Sequence, residues 1–528
     1  MGSVIHISKE SKHARWLLPL VLVVACVCVL PALGASARLS THEALVAQGA
    51  REMLRTGDWL VPRVGGRPWL EKPPLSHWMV AGVGALLGRI DAFVARFPSA
   101  CAALWIAACV YLLAARWHGR ALGTIAGLCQ ATSLWLVSRG RLADCDVVLA
   151  ALVTSALVCF DRIQGGDTRR RWVLAFDVLL GAMSLCKGIG FGAAITMLPV
   201  TITLLIRRDW STARRLLDPI GLLGFVLISS VWPLAILARY PEALPLWWGH
   251  VGGRFAGRFA GESVIEFGTW PLVALLPWAP WCVVGAIGSI RRLCLAPSEH
   301  DLLLISWFFA PILLVGMAES RNSHYILSAL PPAAIWGALG VRIWAERRLR
   351  FGWTRQRIIV LAGLAVGVVA MGWAVGYAGL GPLVDRLGKG AEWAFVERVA
   401  SRESSVPLVF IYDRPDAEPA FDKAPYPTPW GGLPHDLAAR LFLSGERPVA
   451  WGCLPQVLSA LPESDRGWIF IARERDAPEL AAHGELRLVE RGPDLREDRA
   501  FVAYHLAPVQ ASRDEAASAT RSRAVERR

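Results

Sequence analysis

The chain has 528 residues, 54% of them hydrophobic and only 19% charged, and its mean hydropathy is +0.41, a balance that excludes a set of soluble domains, a disordered chain and a disulfide scaffold. Its 56 Lys and Arg against 43 Asp and Glu leave a net charge of +13, but the basic residues stand in short clusters between long apolar runs, not on one solvated face, so the excess points to a polytopic membrane protein and away from a nucleic-acid binder. The 11 Cys fall mostly inside apolar stretches (Cys26, Cys28, Cys101, Cys109, Cys159, Cys186) with no CxxC or Cys/His zinc spacing, and read as small hydrophobes.

In chain order, the first apolar run is Trp16 to Leu33, behind Lys9, Lys12, His13 and Arg15. It is too long for a signal-peptide core and lacks an A-x-A site, so a retained span with a cytoplasmic N-terminus is expected. A more polar stretch, Ser36 to Pro74, leads to the short apolar segment Leu75–Leu87. That segment covers roughly 20 Å, less than the roughly 30 Å hydrocarbon core, and is expected to lie along the outer interface. Further apolar runs cover 97–115, 121–137, 146–161, 172–186, 189–206, 218–239, 270–290, 302–318, 325–343 and 357–380. If Leu75–Leu87 does not cross, the Arg-bearing connections at 116–120, 162–171, 207–215, 291–301 and 347–357 all face the cytoplasm; if it crosses, all face outward. The positive-inside rule selects the first arrangement.

The fold class expected is a polytopic α-helical bundle of about 11–13 spans, with a broken or re-entrant helix possible near the tight pair 172–186 and 189–206. Residues 1–380 form the membrane domain, within which 35–96 make the first outer loop with interfacial helices. Residues 381–508 turn polar: short β-type runs (Leu408–Tyr412, Trp468–Ala472, Leu486–Val489, Phe501–His505) alternate with helical patterns near 434–444 and 476–483, predicting a small α/β domain outside the membrane. Residues 509–528 read as a disordered tail. No internal repeat of the inverted-transporter kind is visible.

With this topology the outer boundary gathers His42, Glu43, Arg51, Glu52, Asp58, Arg63, Arg67, Glu71 and Lys72 in the first loop, and Arg139, Arg141, Asp144 and Asp146 before the run at 146. It also gathers Lys187, then His250, Arg254, Arg258, Glu262 and Glu266, and finally Glu319, Arg321, His324 and Tyr325. Each alone is as well explained by snorkelling or helix capping. Together, cations and carboxylates on one face suit a site that binds an anionic head group and moves a proton.

Five motifs occur in order: Thr56-Gly57-Asp58-Trp59-Leu60-Val61-Pro62-Arg63, Leu70-Glu71-Lys72-Pro73-Pro74-Leu75, Arg96-Phe97-Pro98-Ser99-Ala100, Gly140-Arg141-Leu142-Ala143 with Asp146, and Cys186-Lys187-Gly188. In that order they resemble the GT-C glycosyltransferases that include the lipid A aminoarabinose transferase and the dolichyl-phosphate-mannose-protein O-mannosyltransferases. The resemblance implies a multi-pass enzyme of the bacterial inner membrane with a cytoplasmic N-terminus and a periplasmic C-terminal domain. It would move a sugar from a polyprenyl-phosphate donor to a lipid or glycan acceptor, a lipid A-type or other envelope glycolipid, with the membrane bilayer and no nucleic acid as partner. It implies Lys72, Arg254 or Arg258, and Tyr325 at the donor phosphate, with Arg141, Lys187 and Arg321 in support. It also implies Glu71 and His250 as ligands of a divalent metal, zinc or magnesium, and no nucleotide cofactor; two ligands are fewer than zinc usually takes.

One position departs from the family pattern. The family opens its first loop with Asp-Glu, then Ala-Arg-Tyr, and its Asp is the expected base. Here the loop reads Thr41-His42-Glu43-Ala44-Leu45-Val46 before Ala50-Arg51-Glu52-Met53-Leu54, so His42 stands at the Asp position and Val46 at the Tyr position. A hydroxyl acceptor needs a base and an ionised phosphate acceptor needs little help, and a histidine can serve as a base. Three readings follow: an active transferase with His42 or Glu43 in the base or orienting role and Asp146 beside it; a degenerate member that binds a polyprenyl-linked lipid without turnover, or else a protein O-mannosyltransferase-like enzyme; and a lipid or solute transporter. The last is disfavoured because the polar residues sit at span ends, not at mid-depth.

Overall fold

The computed structural model describes residues 16–507, apart from 36–38, 189, 258–260, 296–297, 381–389, 403–404, 412–440, 445–448, 461–463, 465 and 493–500. The N-terminal charge cluster, the tail at 509–528 and most of the helical pattern near 434–444 therefore lie outside the described residues.

After α1 (Leu17–Val29), the first outer loop is ordered by its own polar side chains. Ser40 caps α2 (Thr41–Thr56), and Glu43 reaches back to the Ser40 amide, a reciprocal capping box. Gly57 ends α2 in the left-handed region at φ 72°, which a side chain rarely adopts. Asp58 then accepts the amides of Leu60 and Val61, both at 3.2 Å, turning the chain into a short hairpin of β1 (Arg63–Val64) and β2 (Arg67–Pro68). The Glu52 carboxylate takes the Gly65 and Gly66 amides at the hairpin tip, at 2.7 and 2.9 Å. α3 (Leu75–Leu87) has 13 residues and packs on α2 and on α4 (Ala92–His118).

The membrane-domain helices continue as α5 (Arg120–Ala131), α6 (Leu134–Gly140), α7 (Cys145–Gln164), α8 (Arg171–Lys187), α9 (Phe191–Arg207), α10 (Trp210–Leu216) and α11 (Pro219–Arg239). After them come α12 (Ala243–Phe255), α13 (Val264–Ala274), α14 (Ala279–Leu295), α15 (Glu299–Gly316), α16 (Pro331–Arg350) and α17 (Arg355–Val375). Among the described residues, four helices are long and apolar enough to cross a membrane, or up to seven if each bent pair counts as one span. α11 and α17 turn large apolar side chains outward, among them Leu223, Val231, Leu234, Leu364 and Val368. Such faces suit contact with lipid, and the chain is a polytopic helical membrane protein.

Three apolar runs that read as single spans are broken. α5 and α6 meet at 56°, because the Thr132 and Ser133 hydroxyls bond back to the Leu128 and Gln130 carbonyls and end the helix there. Trp278 and Trp373 then donate to Thr132 Oγ1 and O, fixing the break. α13 and α14 meet at 99° across Pro277, and a 3₁₀ turn (Ser323–Ala329) meets α16 at 61° where Pro331-Pro332 begin the new helix.

The polar clusters lie at opposite ends of the same helices. Asp146 opens α7 and Asp161 is near its end; Lys187 closes α8 and Arg171 opens it. The far end is tied by Arg116–Asp161, Arg170–Asp218, Arg207–Glu299 and Arg292–Asp301 pairs, with Trp117 packed on His300.

Beyond α17 and a π-helical turn at Gly376–Leu380, a helix over Gly390–Arg402 precedes a five-stranded sheet. β3 (Leu408–Ile411) pairs parallel with β4 (Val449–Gly452) and β5 (Trp468–Arg473); β7 (Phe501–Leu506) runs antiparallel to both β5 and β6 (Leu486–Arg491). Four strands match the sequence reading. β4 was not foreseen: its four residues include Gly452 and lack an alternating pattern. Val409, Phe470 and Tyr504 fill one face of the sheet and Phe395, Phe410 and Ile471 the other.

Candidate active site

Each element around the site is fixed by a specific local bond. The Gly57–Pro62 segment is held from both sides: Trp78 of α3 donates to the Trp59 carbonyl at 2.5 Å, and Trp232 of α11 donates to the Leu60 carbonyl at 2.9 Å. Trp247 of α12 donates to the Leu70 carbonyl at 2.7 Å, so the Glu71-Lys72 segment is pinned against α12. Asp144 caps α7 by accepting the Asp146 amide, which sets Asp146 in the first turn. Gly188 stops α8 at φ 96° directly after Lys187.

These elements bring together most of the expected donor-site residues. Lys187 is hydrogen-bonded to Asp146, with side chains only 10% and 7% exposed. The Lys187 ammonium lies 3.7 Å from the centre of the Tyr325 ring and the Arg254 guanidinium 5.0 Å from it, so the ring is shared by two cations. Phe191 stands edge-on to the same ring. Lys72 is within the field of Asp146 and Asp144. Burial opposes its charge, but the negative 144–146 segment outweighs burial and holds its pKa above the ordinary lysine value. The result is three cations around one acid and one aromatic ring, a charge arrangement suited to an anion of more than one charge.

Beside this cluster is a cavity of about 170 Å³ whose wall includes His42, Glu43, Trp69, Lys72, His77, Arg139, Asp144, Asp146 and His324. His42 is exposed at its wall. Glu43 differs: it is buried, and its carboxylate accepts from Arg96 Nε at 2.8 Å, from the Ala143 amide at 3.1 Å and from the Ser40 amide at 2.8 Å. Both candidates in the first loop line the cavity; Glu43 is buried there and engaged in tying α2 to α4 and to the loop before α7, and His42 is the exposed one. Burial, and then Asp146 beside it, push the Asp144 carboxyl up to about 6; the Arg139 ion pair at 3.4 Å works the other way.

Other expected residues fall elsewhere. Arg141 is buried beneath the site: it donates to the Val29 carbonyl at 2.5 Å and its guanidinium lies 4.0 Å from the Tyr377 ring centre, a contact with α1 and the π-helical turn after α17 and not with the cavity. Arg321 donates to the Ala318 carbonyl in its own turn, and its carbonyl receives the Glu262 amide. Glu71 is half-buried and is not part of the cavity wall. His250 lies in α12 with its side chain outside the described residues, and Arg258 lies outside them altogether.

Sequence reasoning gave no role to Arg139, Asp144, His324, Trp69 or His77. The first three were visible as charged outer-loop residues, and Asp144 also as a helix cap. His77 carried no signal, sitting in an apolar segment; it is buried, with its ring 5.3 Å from that of Trp69.

The dolichyl-phosphate-mannose-protein mannosyltransferase family matches residues 71–233. The undecaprenyl phosphate-alpha-4-amino-4-deoxy-L-arabinose arabinosyl transferase of Yersinia enterocolitica is 28% identical over 355 residues, covering 64% of this chain and 63% of that protein. The protein of the same name from Pectobacterium carotovorum is 29% identical over 356 residues, 63% of this chain and 61% of that protein. The matched stretch thus spans less than two thirds of either relative. Among solved structures, ArnT from Cupriavidus metallidurans bound to undecaprenyl phosphate superposes with a TM-score of 0.70 at 20% identity, over 94% of this chain and 98% of that one. The Archaeoglobus fulgidus oligosaccharyltransferase in the apo form follows at 0.52 and 13% identity, over 83% of this chain and 64% of that one. The chain has the fold of the GT-C glycosyltransferases, and its sequence similarity lies with their aminoarabinose-transferase-like branch.

Proposed function

We propose that this chain is an integral-membrane glycosyltransferase that moves a sugar from a polyprenyl-phosphate donor to an acceptor at the outer face of the bacterial inner membrane, the acceptor being a lipid A-type or other envelope glycolipid. The observation that carries the reading is the convergence of Lys72, Lys187 and Arg254 on Asp146 and Tyr325 at the edge of a cavity walled by His42. The separation of this cluster from the Arg-bearing ends of the same helices supports a cytoplasmic N-terminus and a periplasmic α/β domain after residue 380.

In this reading the donor phosphate is held by Lys72 and by the Lys187–Tyr325–Arg254 stack, and Arg258 is the alternative to Arg254. The acceptor oxygen attacks the anomeric carbon as the carbon–oxygen bond to the polyprenyl phosphate breaks, and the departing oxygen's charge develops against the cations. A hydroxyl acceptor gives its proton to His42; an ionised phosphate acceptor has none to give. Asp146 orients Lys187 and keeps the cation cluster from self-repulsion. Arg321 and Arg141 shape the turn and the floor behind it.

The metal implied by resemblance would be held by Glu71 and His250. The Trp247–Leu70 bond fits this, because it fastens the segments that carry them. Such an ion would supply further positive charge at the leaving phosphate. Asp144, Cys145 and Asp146 also bring ligand atoms within 4.8 Å of one another, but Lys187 already neutralises Asp146, which disfavours a cation there.

Sugar transfer is tested with purified protein in nanodiscs and by mass spectrometry of envelope lipids from cells with and without the gene. Lys72→Ala and Asp146→Ala should each abolish the transferred sugar at normal protein level. Lipid profiles identical with and without the gene would overturn the reading. Undecaprenyl phosphate binding without any transfer would establish instead a non-catalytic binder, which the histidine at position 42 favours as the second reading.

A further inference from the structure

We propose that the C-terminal α/β domain is a positioning element of the site: Trp451 grips the Arg63–Pro68 hairpin, with Phe442 seated beside it on Arg51 of α2, and thereby holds Trp69 and Lys72 in the cavity wall. This rests on the donor-phosphate role given to Lys72 above, and adds a role for the sheet domain that the motifs do not supply.

The hairpin has two residues per strand, far below what is stable in isolation. It is held from both sides. From the membrane side, Glu52 takes both tip amides. From the sheet domain, Trp451 of β4 donates through Nε1 to the Gly65 carbonyl at 3.2 Å, and the Arg67 guanidinium lies 4.2 Å from the centre of its ring. The fit leaves no space: a Cβ on Gly65, which also sits at φ 62°, would come within 2.4 Å of Trp451 Nε1. A second contact lies alongside. Arg51 of α2 donates to the Phe442 carbonyl at 3.0 Å and lies 4.4 Å over the Phe442 ring, while its other nitrogen reaches the Ile90 carbonyl at 3.1 Å. Leu441 and Phe442 are buried in the same apolar cluster as Val64 and Trp69.

The hairpin leads straight into the site. The Trp69 amide donates to the Pro62 carbonyl at 2.7 Å, closing the hairpin base, and Trp69 and Lys72 both line the cavity. A lysine side chain has several rotatable bonds, so its ammonium is only as well placed as the segment that carries it. The sheet domain therefore acts on the donor through Arg67 and Gly65 without touching it.

The test uses the full-length chain in nanodiscs, with undecaprenyl phosphate as the probe and backbone hydrogen exchange over residues 63–72 as the second readout. Trp451→Ala should raise exchange in that segment and weaken probe binding by about tenfold to 100-fold, the range for losing a support behind a binding group. Trp451→Phe keeps a ring over Arg67 and removes the N–H, and should fall between wild type and Trp451→Ala. Gly65→Ala leaves the core of the sheet domain intact and should reproduce the Trp451→Ala signature, so a folding defect in one variant does not decide the matter. Lys72→Ala should lose the probe with exchange over 63–72 unchanged. If it binds as wild type does, the donor reading fails, and the clamp is judged on exchange alone. Unchanged exchange over 63–72 in both Trp451→Ala and Gly65→Ala would overturn the proposal, as would raised exchange with undiminished binding where Lys72→Ala abolishes it.

Discussion

Glu43 Oε1 accepts a hydrogen bond from Arg96 Nε at 2.8 Å, and the two side chains are 4% and 10% exposed. The same oxygen takes the Ala143 amide and the second oxygen the Ser40 amide, while Arg96 also reaches the Leu33 carbonyl at 3.0 Å. A carboxylate engaged this way is a structural tie among α2, α4 and the loop that leads into α7. Removing one partner leaves the other charge buried. Glu43→Gln and Arg96→Leu should each lower stability by about 3–5 kcal/mol, read as a fall in Tm of the detergent-solubilised protein. A Glu43→Gln protein with unchanged Tm and no transfer would place Glu43 in the chemistry instead.

His42 carries the opposite expectation. It is exposed at the cavity wall, so His42→Ala should leave stability within about 0.5 kcal/mol of wild type, as surface substitutions usually do, with little change in Tm. Loss of transfer to a hydroxyl acceptor on the order of 100-fold or more would mark it as the base. His42→Asp restores the residue type the family carries at that position. A gain in transfer would show the natural protein to be impaired, and a loss would show that the imidazole is used.

Tyr325 is expected to matter through its ring. Lys187 and Arg254 both lie on it, so Tyr325→Phe should retain undecaprenyl phosphate binding within a few-fold, and Tyr325→Leu should lose about 1–2 kcal/mol for the desolvated cation contacts. Equal loss in both variants, measured by ligand-induced thermal shift, would assign the effect to the hydroxyl.

Asp144 gives a pH dependence with a definite sign. Burial and Asp146 lift its pKa to about 6 in the folded protein, above the ordinary aspartate value. Between those two values the folded state binds the extra proton, so this group's contribution to stability falls as pH rises from about 4 to about 6 and is flat above. Asn caps helices as well as Asp does, so Asp144→Asn should keep α7 and flatten that part of the Tm–pH curve. A variant that follows the wild-type slope over this window would remove Asp144 as its source.

The placement of charges at the outer ends of the apolar runs was enough to put Lys72, Asp146 and Lys187 on one face, and the order of the short motifs singled them out there. Charge clusters and short motifs are local properties of the chain and are readable without the fold. The same holds for four of the five strands in the sheet, whose apolar runs are short and bounded by turn residues. The breaks inside the apolar runs were less legible. Thr132 and Ser133 end a helix only because their hydroxyls turn back on it and Trp278 and Trp373 hold them there.

Composition and charge placement by themselves determined a lipid-embedded helical bundle with its Arg-rich connections at one set of helix ends, since transfer of charge into hydrocarbon is costly wherever it occurs in the chain. Tertiary structure alone decided which outer residues do what. Glu43 and His42 are adjacent in sequence and share the cavity wall, yet one is buried on Arg96 and the other is exposed. Arg141 and Lys187 looked alike at span ends, yet one is buried on Tyr377 and the other paired with Asp146. Partner choice for a polar group depends on what distant segments bring within about 3 Å of it, and neighbours in sequence say little about that distance.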